Sequence, residues 1–223
     1  CDTETVCIFG KSWLLQVKDI LSCEPDVNIH KIESSVRFLK AAGKEVIFDA
    51  EHFFDGYKDN REYAMAAVNA AFKGGADYVV LCDTNGGTLP GEFTEIIKQV
   101  SDANGGLERF GVHLHNDTGT AVANSCIAAE FGISMIQVTL CGWGERCGNA
   151  DLFSIVPNLQ LKMGFLCVPS LSNFTEYAAK ASEIVNIKVN NSAPYVGRNA
   201  FSHKAGMHID AVLKNPISYE HIS

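Results

Sequence analysis

Phe110-Gly111-Val112-His113-Leu114-His115-Asn116-Asp117 reads as a short strand that ends in two histidines and passes at once into polar residues. Strand side chains alternate faces, so residues i and i+2 project together. His113 and His115 therefore share one face at a strand's carboxyl end. Two imidazoles side by side make half of a metal site, or an acid/base pair. Two half-buried histidines that only hydrogen-bond remain the alternative that this segment alone leaves open.

Outward from this segment the same form recurs. Residues 6–9, 45–49, 78–82, 111–115 and 135–140 are predicted strands. Between them lie helix-periodic stripes: Ile29, Ile32, Val36 and Leu39, then Phe93, Ile96, Ile97 and Val100. Thr88, followed by Pro90 and Glu92, marks a helix start, and Gly43 and Gly74/Gly75 mark stops. Alternating strand and helix predicts a parallel α/β architecture. Tyr78-Val79-Val80-Leu81-Cys82 is apolar on both faces, as a strand covered by helices requires.

The polar residues fall just after the strands: Lys11 and Ser12; Asp49, Glu51 and His52; Asp83, Thr84 and Asn85; His115 to Asp117; Gly144 to Asn149. Every junction of a (β/α)8 TIM barrel opens onto one mouth, whereas an open doubly wound sheet shares a site only at its switch point. A barrel is therefore predicted. Five strands are visible and a complete barrel takes about 250 residues, so the chain reads as about the last five βα units. Residues 1–188 are read as the C-terminal part of a barrel catalytic domain. Phe174, Tyr177, Ala178, Ala181, Ile184 and Val185 form its last amphipathic helix. Residues 189–223 begin a small helical arm.

Composition narrows the function classes. The net charge is -8 with no basic run, which argues against nucleic acid or an anionic membrane as partner. No apolar stretch is long enough to span a bilayer, and the start lacks a signal peptide's form. The eight cysteines stand mostly singly in apolar segments. They read as reduced core thiols of a cytoplasmic protein rather than a disulfide framework.

Gly142-Trp143-Gly144-Glu145-Arg146-Cys147-Gly148-Asn149 follows the last strand, with glycines that permit a tight turn and close approach to a ligand. Asn149 offers an amide oxygen, or caps the helix that follows. Glu145 and Arg146 can form a plain ion pair. Two histidines with oxygen donors suit a divalent metal such as Mg, Mn or Zn; His113, His115, Cys141 and Cys147 would make a rival thiolate shell. Glu51 shares a strand-end face with Asp49, and the hydroxyl of Thr84 can bind a carboxylate.

Residues 51–58, 81–90, 113–117, 144–152, 158–164 and 194–208 together resemble the citramalate synthases, a branch of the isopropylmalate/homocitrate synthase family of metal-dependent TIM-barrel acyltransferases. Glu51-His52-Phe53-Phe54-Asp55-Gly56 and Tyr219-Glu220-His221-Ile222 carry the likeness to that branch. The resemblance implies condensation of acetyl-CoA with pyruvate to give citramalate and CoA, in isoleucine-type biosynthesis. It implies His113 and His115 as metal ligands with Asn149 as a weaker or nearby one. Thr84 would bind the oxo-acid carboxylate, Glu51 would orient substrate, and His208 would handle protons of acetyl-CoA. The family's members are generally homodimers that exchange the arm.

The family's first strand ends in Thr-Leu-Arg-Asp-Gly, where Arg stabilises the enolate and Asp completes the metal shell. The chain has no such segment. It is therefore expected to be a fragment that binds metal poorly and turns over little alone. Isopropylmalate or homocitrate synthase, a related aldolase or lyase, and a non-catalytic binding module are the competing readings.

Overall fold

The computed structural model describes residues 2–222, which fall into two compact units divided between Ala150 and Asp151. The first unit holds five strands: β1 (Thr5–Lys11), β2 (Glu45–Glu51), β3 (Tyr78–Asp83), β4 (Phe110–Leu114) and β5 (Met135–Gln137). They pair in parallel in the order β1-β2-β3-β4-β5. Helices α1 (Pro25–Ala41), α2 (Phe53–Asp59), α3 (Arg61–Gly74), α4 (Pro90–Asn104) and α5 (Ala121–Glu130) connect them. Sequential parallel strands joined by helices form part of a TIM barrel, five strands where the complete barrel has eight.

Strand faces follow the alternation in the sequence. In β2, Val46, Phe48 and Ala50 are buried toward the helices, while Ile47, Asp49 and Glu51 take the other face. β3 is buried along nearly its whole length, as its unbroken apolar run predicts. The helical stripes meet the sheet where expected. Ile32 and Val36 of α1 and Phe93, Ile96, Ile97 and Val100 of α4 are buried. Phe54 stacks on Phe93 at 5.0 Å between ring centroids, and each such buried side chain stabilises the layer by about 1.5–3 kcal/mol.

Several details differ from expectation. Thr88 does not cap α4: Leu89 takes that position, and the Thr88 N–H donates to Asp83 Oδ2 at 3.0 Å. The fifth strand ends at Gln137, because residues 140–142 turn into a single 3-10 turn with Cys141 at φ 54°. Of the seven described cysteines only Cys82 is buried; Cys7, Cys147 and Cys167 are exposed, so these thiols do not form the core.

The second unit carries α6 (Leu152–Pro157), α7 (Phe174–Val185) and α8 (Gly206–Lys214). Phe174, Ala178 and Ala181 bury one side of α7, whereas Tyr177, Ile184 and Val185 from the same predicted stripe are exposed. Among the described residues no helix is long and apolar enough to cross a membrane.

Candidate metal and substrate site

The two histidines sit on either side of a strand end. His113 is the penultimate residue of β4, and His115 lies one residue beyond it. His115 makes an isolated antiparallel bridge to Asn149. Two backbone bonds flank that bridge: Ala150 N–H to Leu114 O at 3.0 Å, and Asn116 N–H to Gly148 O at 2.9 Å. The clip fixes Asn149 against the strand and leaves its side chain 3.1 Å from His113, Nδ2 to Nε2. The imidazoles of His113 and His115 lie 5.3 Å apart between ring centroids.

Glycine makes this approach possible. A Cβ on Gly144 would collide with Asn149 Oδ1, and one on Gly148, at φ +85°, with the carbonyl oxygen of Gly142. Asn149 does not cap the following helix; Asp151 does, accepting from the Phe153 N–H at 3.1 Å. Asn149 is thus 8% exposed and committed to the strand end. Arg146 pairs chiefly with Asp117 rather than Glu145, through two bonds of 2.9 Å, and donates to Thr84 O at 2.7 Å. The loop after β5 is therefore tied to the ends of both β3 and β4.

A cavity of about 240 Å³ opens here, lined by Phe9, Asp49, Glu51, Cys82, Thr84, His113, His115 and Glu145. Four barrel junctions contribute to it, which meets the expectation of one shared mouth. Lys11, at the end of β1, holds Glu51 Oε2 at 2.6 Å. Thr84 Oγ1 accepts the His52 N–H at 2.8 Å, so its own hydrogen is left to donate elsewhere. His52 reaches that position with a left-handed backbone, φ 59°.

Electrostatics favour neutral imidazole at His115. Burial, then the charges of His113 and Arg146, lower its pKa, and its buried Nδ1 has no partner. Burial raises the carboxyl of Asp49 against the hydrogen bonds it accepts from Cys7 and Gln137. Although Cys7 as a residue is exposed, desolvation of its thiol first and then the Asp49 charge push it up to about 12. No group of three or more His, Cys, Asp or Glu side chains is arranged to hold a metal among the described residues, so the rival shell with Cys141 and Cys147 is not assembled. The donors brought together are two imidazoles and an amide. A neutral imidazole with a buried, unpartnered nitrogen beside a second imidazole fits a divalent cation.

Residues 1–185 match the HMGL-like family model. The chain belongs to the HMGL-like family. Residues 195–223 match a second model, the homocitrate synthase post-HMGL domain-like segment. Among curated relatives of this family member, the (R)-citramalate synthase of Aquifex aeolicus is 53% identical over 100% of the chain and 42% of its own length. The 2-isopropylmalate synthase of Sulfurisphaera tokodaii is 35% identical over 87% of the chain and half of its own length. The chain thus spans about two-fifths to one-half of the relatives it matches. The Bacillus subtilis HMG-CoA lyase structure shares the fold, with TM-score 0.74 at 19% identity over 88% of the chain and 66% of that structure.

Within this HMGL-like chain, the predicted residues Glu51, Thr84, His113, His115 and Asn149 all come together in the first unit. His208 stands in the second unit, on α8, its ring stacked on Tyr219 at 4.2 Å and 29°. Sequence reasoning missed Gln137, whose side chain bridges His113 Nδ1 (2.7 Å) and Asp49 Oδ1 (3.0 Å). The available signal was a polar residue on an otherwise apolar short strand.

Proposed function

We propose that the protein to which this chain belongs condenses acetyl-CoA with pyruvate to give citramalate and CoA. The observation that carries the reading is the convergence of Glu51, Thr84, His113 and His115 on one small cavity. Its volume suits a short oxo acid. Identity of 53% to a citramalate synthase, against 35% to a 2-isopropylmalate synthase, supports pyruvate as that acid. The matched segments 1–185 and 195–223 support a division near residue 188 between barrel and arm.

His113 and His115, with Asn149 beside them, would hold a divalent cation. Bound there, the cation supplies Lewis-acid polarisation of the keto group. The Thr84 hydroxyl, already accepting from His52, donates to the substrate carboxylate. Glu51, held by Lys11, orients the keto acid. His208 takes a proton from the acetyl methyl group, whose carbon then bonds to the keto carbon while the keto oxygen gains a proton. Water cleaves the thioester and releases CoA.

Thiol release from acetyl-CoA by the full-length protein, measured across a panel of oxo acids, tests this assignment. Release with pyruvate, at a kcat/KM at least about tenfold above that with 2-oxoisovalerate, is expected; this corresponds to about 1.4 kcal/mol in transition-state binding. Release with 2-oxoisovalerate and none with pyruvate would move the protein to the isopropylmalate reaction. A folded protein that releases no thiol with any oxo acid would support a binding role instead.

A further inference from the structure

We infer that Gln137, itself oriented by Asp49, is a positioning residue that fixes His113 as its Nδ1–H tautomer and leaves Nε2 carrying the lone pair. The inference deepens the proposed function, since its consequence for metal binding rests on reading His113 as a ligand.

Asp49 sets the orientation of the whole chain of contacts. Its Oδ1 receives the Gln137 amide at 3.0 Å and the Cys7 thiol at 3.4 Å. A carboxylate only accepts, so Gln137 must turn its NH2 group toward it. The planar amide then turns its oxygen the other way, toward His113 Nδ1 at 2.7 Å. An amide oxygen also only accepts. The imidazole hydrogen therefore sits on Nδ1, and Nε2 carries the lone pair.

The other side of the ring fits the same tautomer. Asn149 places its NH2 group 3.1 Å from His113 Nε2, where a lone pair is required to receive it. Both edges of the imidazole agree on one tautomer. The backbone holds the arrangement, because Gln137 and His113 are direct partners in the β4–β5 register. Cys7 supports it by donating its thiol hydrogen to the same Asp49 oxygen at 3.4 Å. Ligating histidines commonly have their second nitrogen fixed in this way, and loss of the partner costs about 10–100-fold in metal affinity.

Asp49→Asn provides the sharpest test because it preserves shape while adding a donor. The introduced amide can give its NH2 to the Gln137 oxygen, which lets the Gln137 amide reverse and present NH2 to His113 Nδ1. Imidazole nitrogen correlations in 15N-histidine-labelled, metal-free full-length protein read the tautomer directly, with His113 assigned through the signals lost in His113→Gln. The wild type is expected to show Nδ1–H. Asp49→Asn should shift the population toward Nε2–H, Gln137→Met should leave a mixture, and Gln137→Glu should retain Nδ1–H. Thermal melts confirm that each variant is folded.

Mn2+ binding followed by electron paramagnetic resonance supplies the second readout, with affinity about 10–100-fold weaker in Asp49→Asn and Gln137→Met. An unchanged Nδ1–H tautomer in folded Asp49→Asn and Gln137→Met overturns the inference. A shifted tautomer with unchanged Mn2+ affinity upholds the positioning role and instead overturns His113 as a ligand.

Discussion

Arg146 holds a left-handed backbone, φ 56°, a conformation uncommon for a long side chain. What over-determines it is the planar guanidinium, whose Nε and Nη2 donate to the two oxygens of Asp117 while Nη2 also reaches Thr84 O. The Asp117 carboxyl is accordingly held below its ordinary value, first by the Arg146 hydrogen bonds. A lysine offers one point charge where two directed donors are needed. Arg146→Lys is therefore expected to loosen the loop that carries Asn149. Hydrogen exchange at residues 142–149 should accelerate, and divalent-cation affinity should fall about 10-fold. Unchanged exchange across the loop would assign its order to the glycine turns alone. At this scale the His-x-His pair was legible, because period-two geometry alone puts both rings on one face. Gln137 was not, because its role depends on a partner on another strand that no local spacing encodes. The Arg146–Asp117 pair was hidden for the same reason, whereas the ion pair with the adjacent Glu145 was legible and forms at 3.5 Å, with the Glu145 side chain 82% exposed.

Helix α1 and strand β2 meet at the amino-terminal side of the sheet, through Asp77. Its carboxylate accepts from the Lys40 ammonium at 2.7 and 3.0 Å and from the Val46 N–H at 2.7 Å. Partial burial pushes the Asp77 carboxyl up, but Lys40, Val46 and Arg109 outweigh that and hold it below its ordinary value of 3.8. A carboxyl depressed in the folded state contributes stability that is fully present above its unfolded pKa. That stability is lost as pH falls through the lower folded value. Asp77→Asn should therefore lower the melting temperature at pH 7, by the equivalent of about 1 kcal/mol after solvent screening. The gap to wild type should close as the pH is taken below 3.8 in a series of melts. A gap that stays constant with pH would reject the ionised carboxylate as its source. The elements themselves were readable from periodicity, since Ile32, Val36, Phe93 and Ile97 are buried as their spacing requires. The end of β5 was not, because Val138, Thr139 and Leu140 have strand-forming composition but the backbone must turn to bring Asn149 back to His115.

For the whole molecule, the barrel was legible because polar residues cluster after successive strands, and only a barrel gives those clusters a common mouth. Which residues of α7 are covered was less so, because periodicity records which face of a helix is apolar but not which neighbour covers it: Tyr177, Ile184 and Val185 stay exposed. The site has a consequence for stability at this scale. Its donors come from two segments, β4 and the loop after β5, joined by backbone bonds and by Arg146. A cation bound by both segments binds the folded protein and not the unfolded chain, so it raises stability by about 2.7 kcal/mol at a hundredfold excess over Kd. For a domain of this size that corresponds to a rise in melting temperature of about 5–10 °C. The full-length protein stripped with a chelator should melt lower by that amount, and Mg2+ or Mn2+ should restore it. His115→Ala should melt close to the stripped wild type and gain nothing from either ion. Two histidines that only hydrogen-bond predict the opposite: cation-independent melting in the wild type, and a loss in His115→Ala that persists in the presence of chelator. An equal upward shift in wild type and His115→Ala would place the cation elsewhere in the protein.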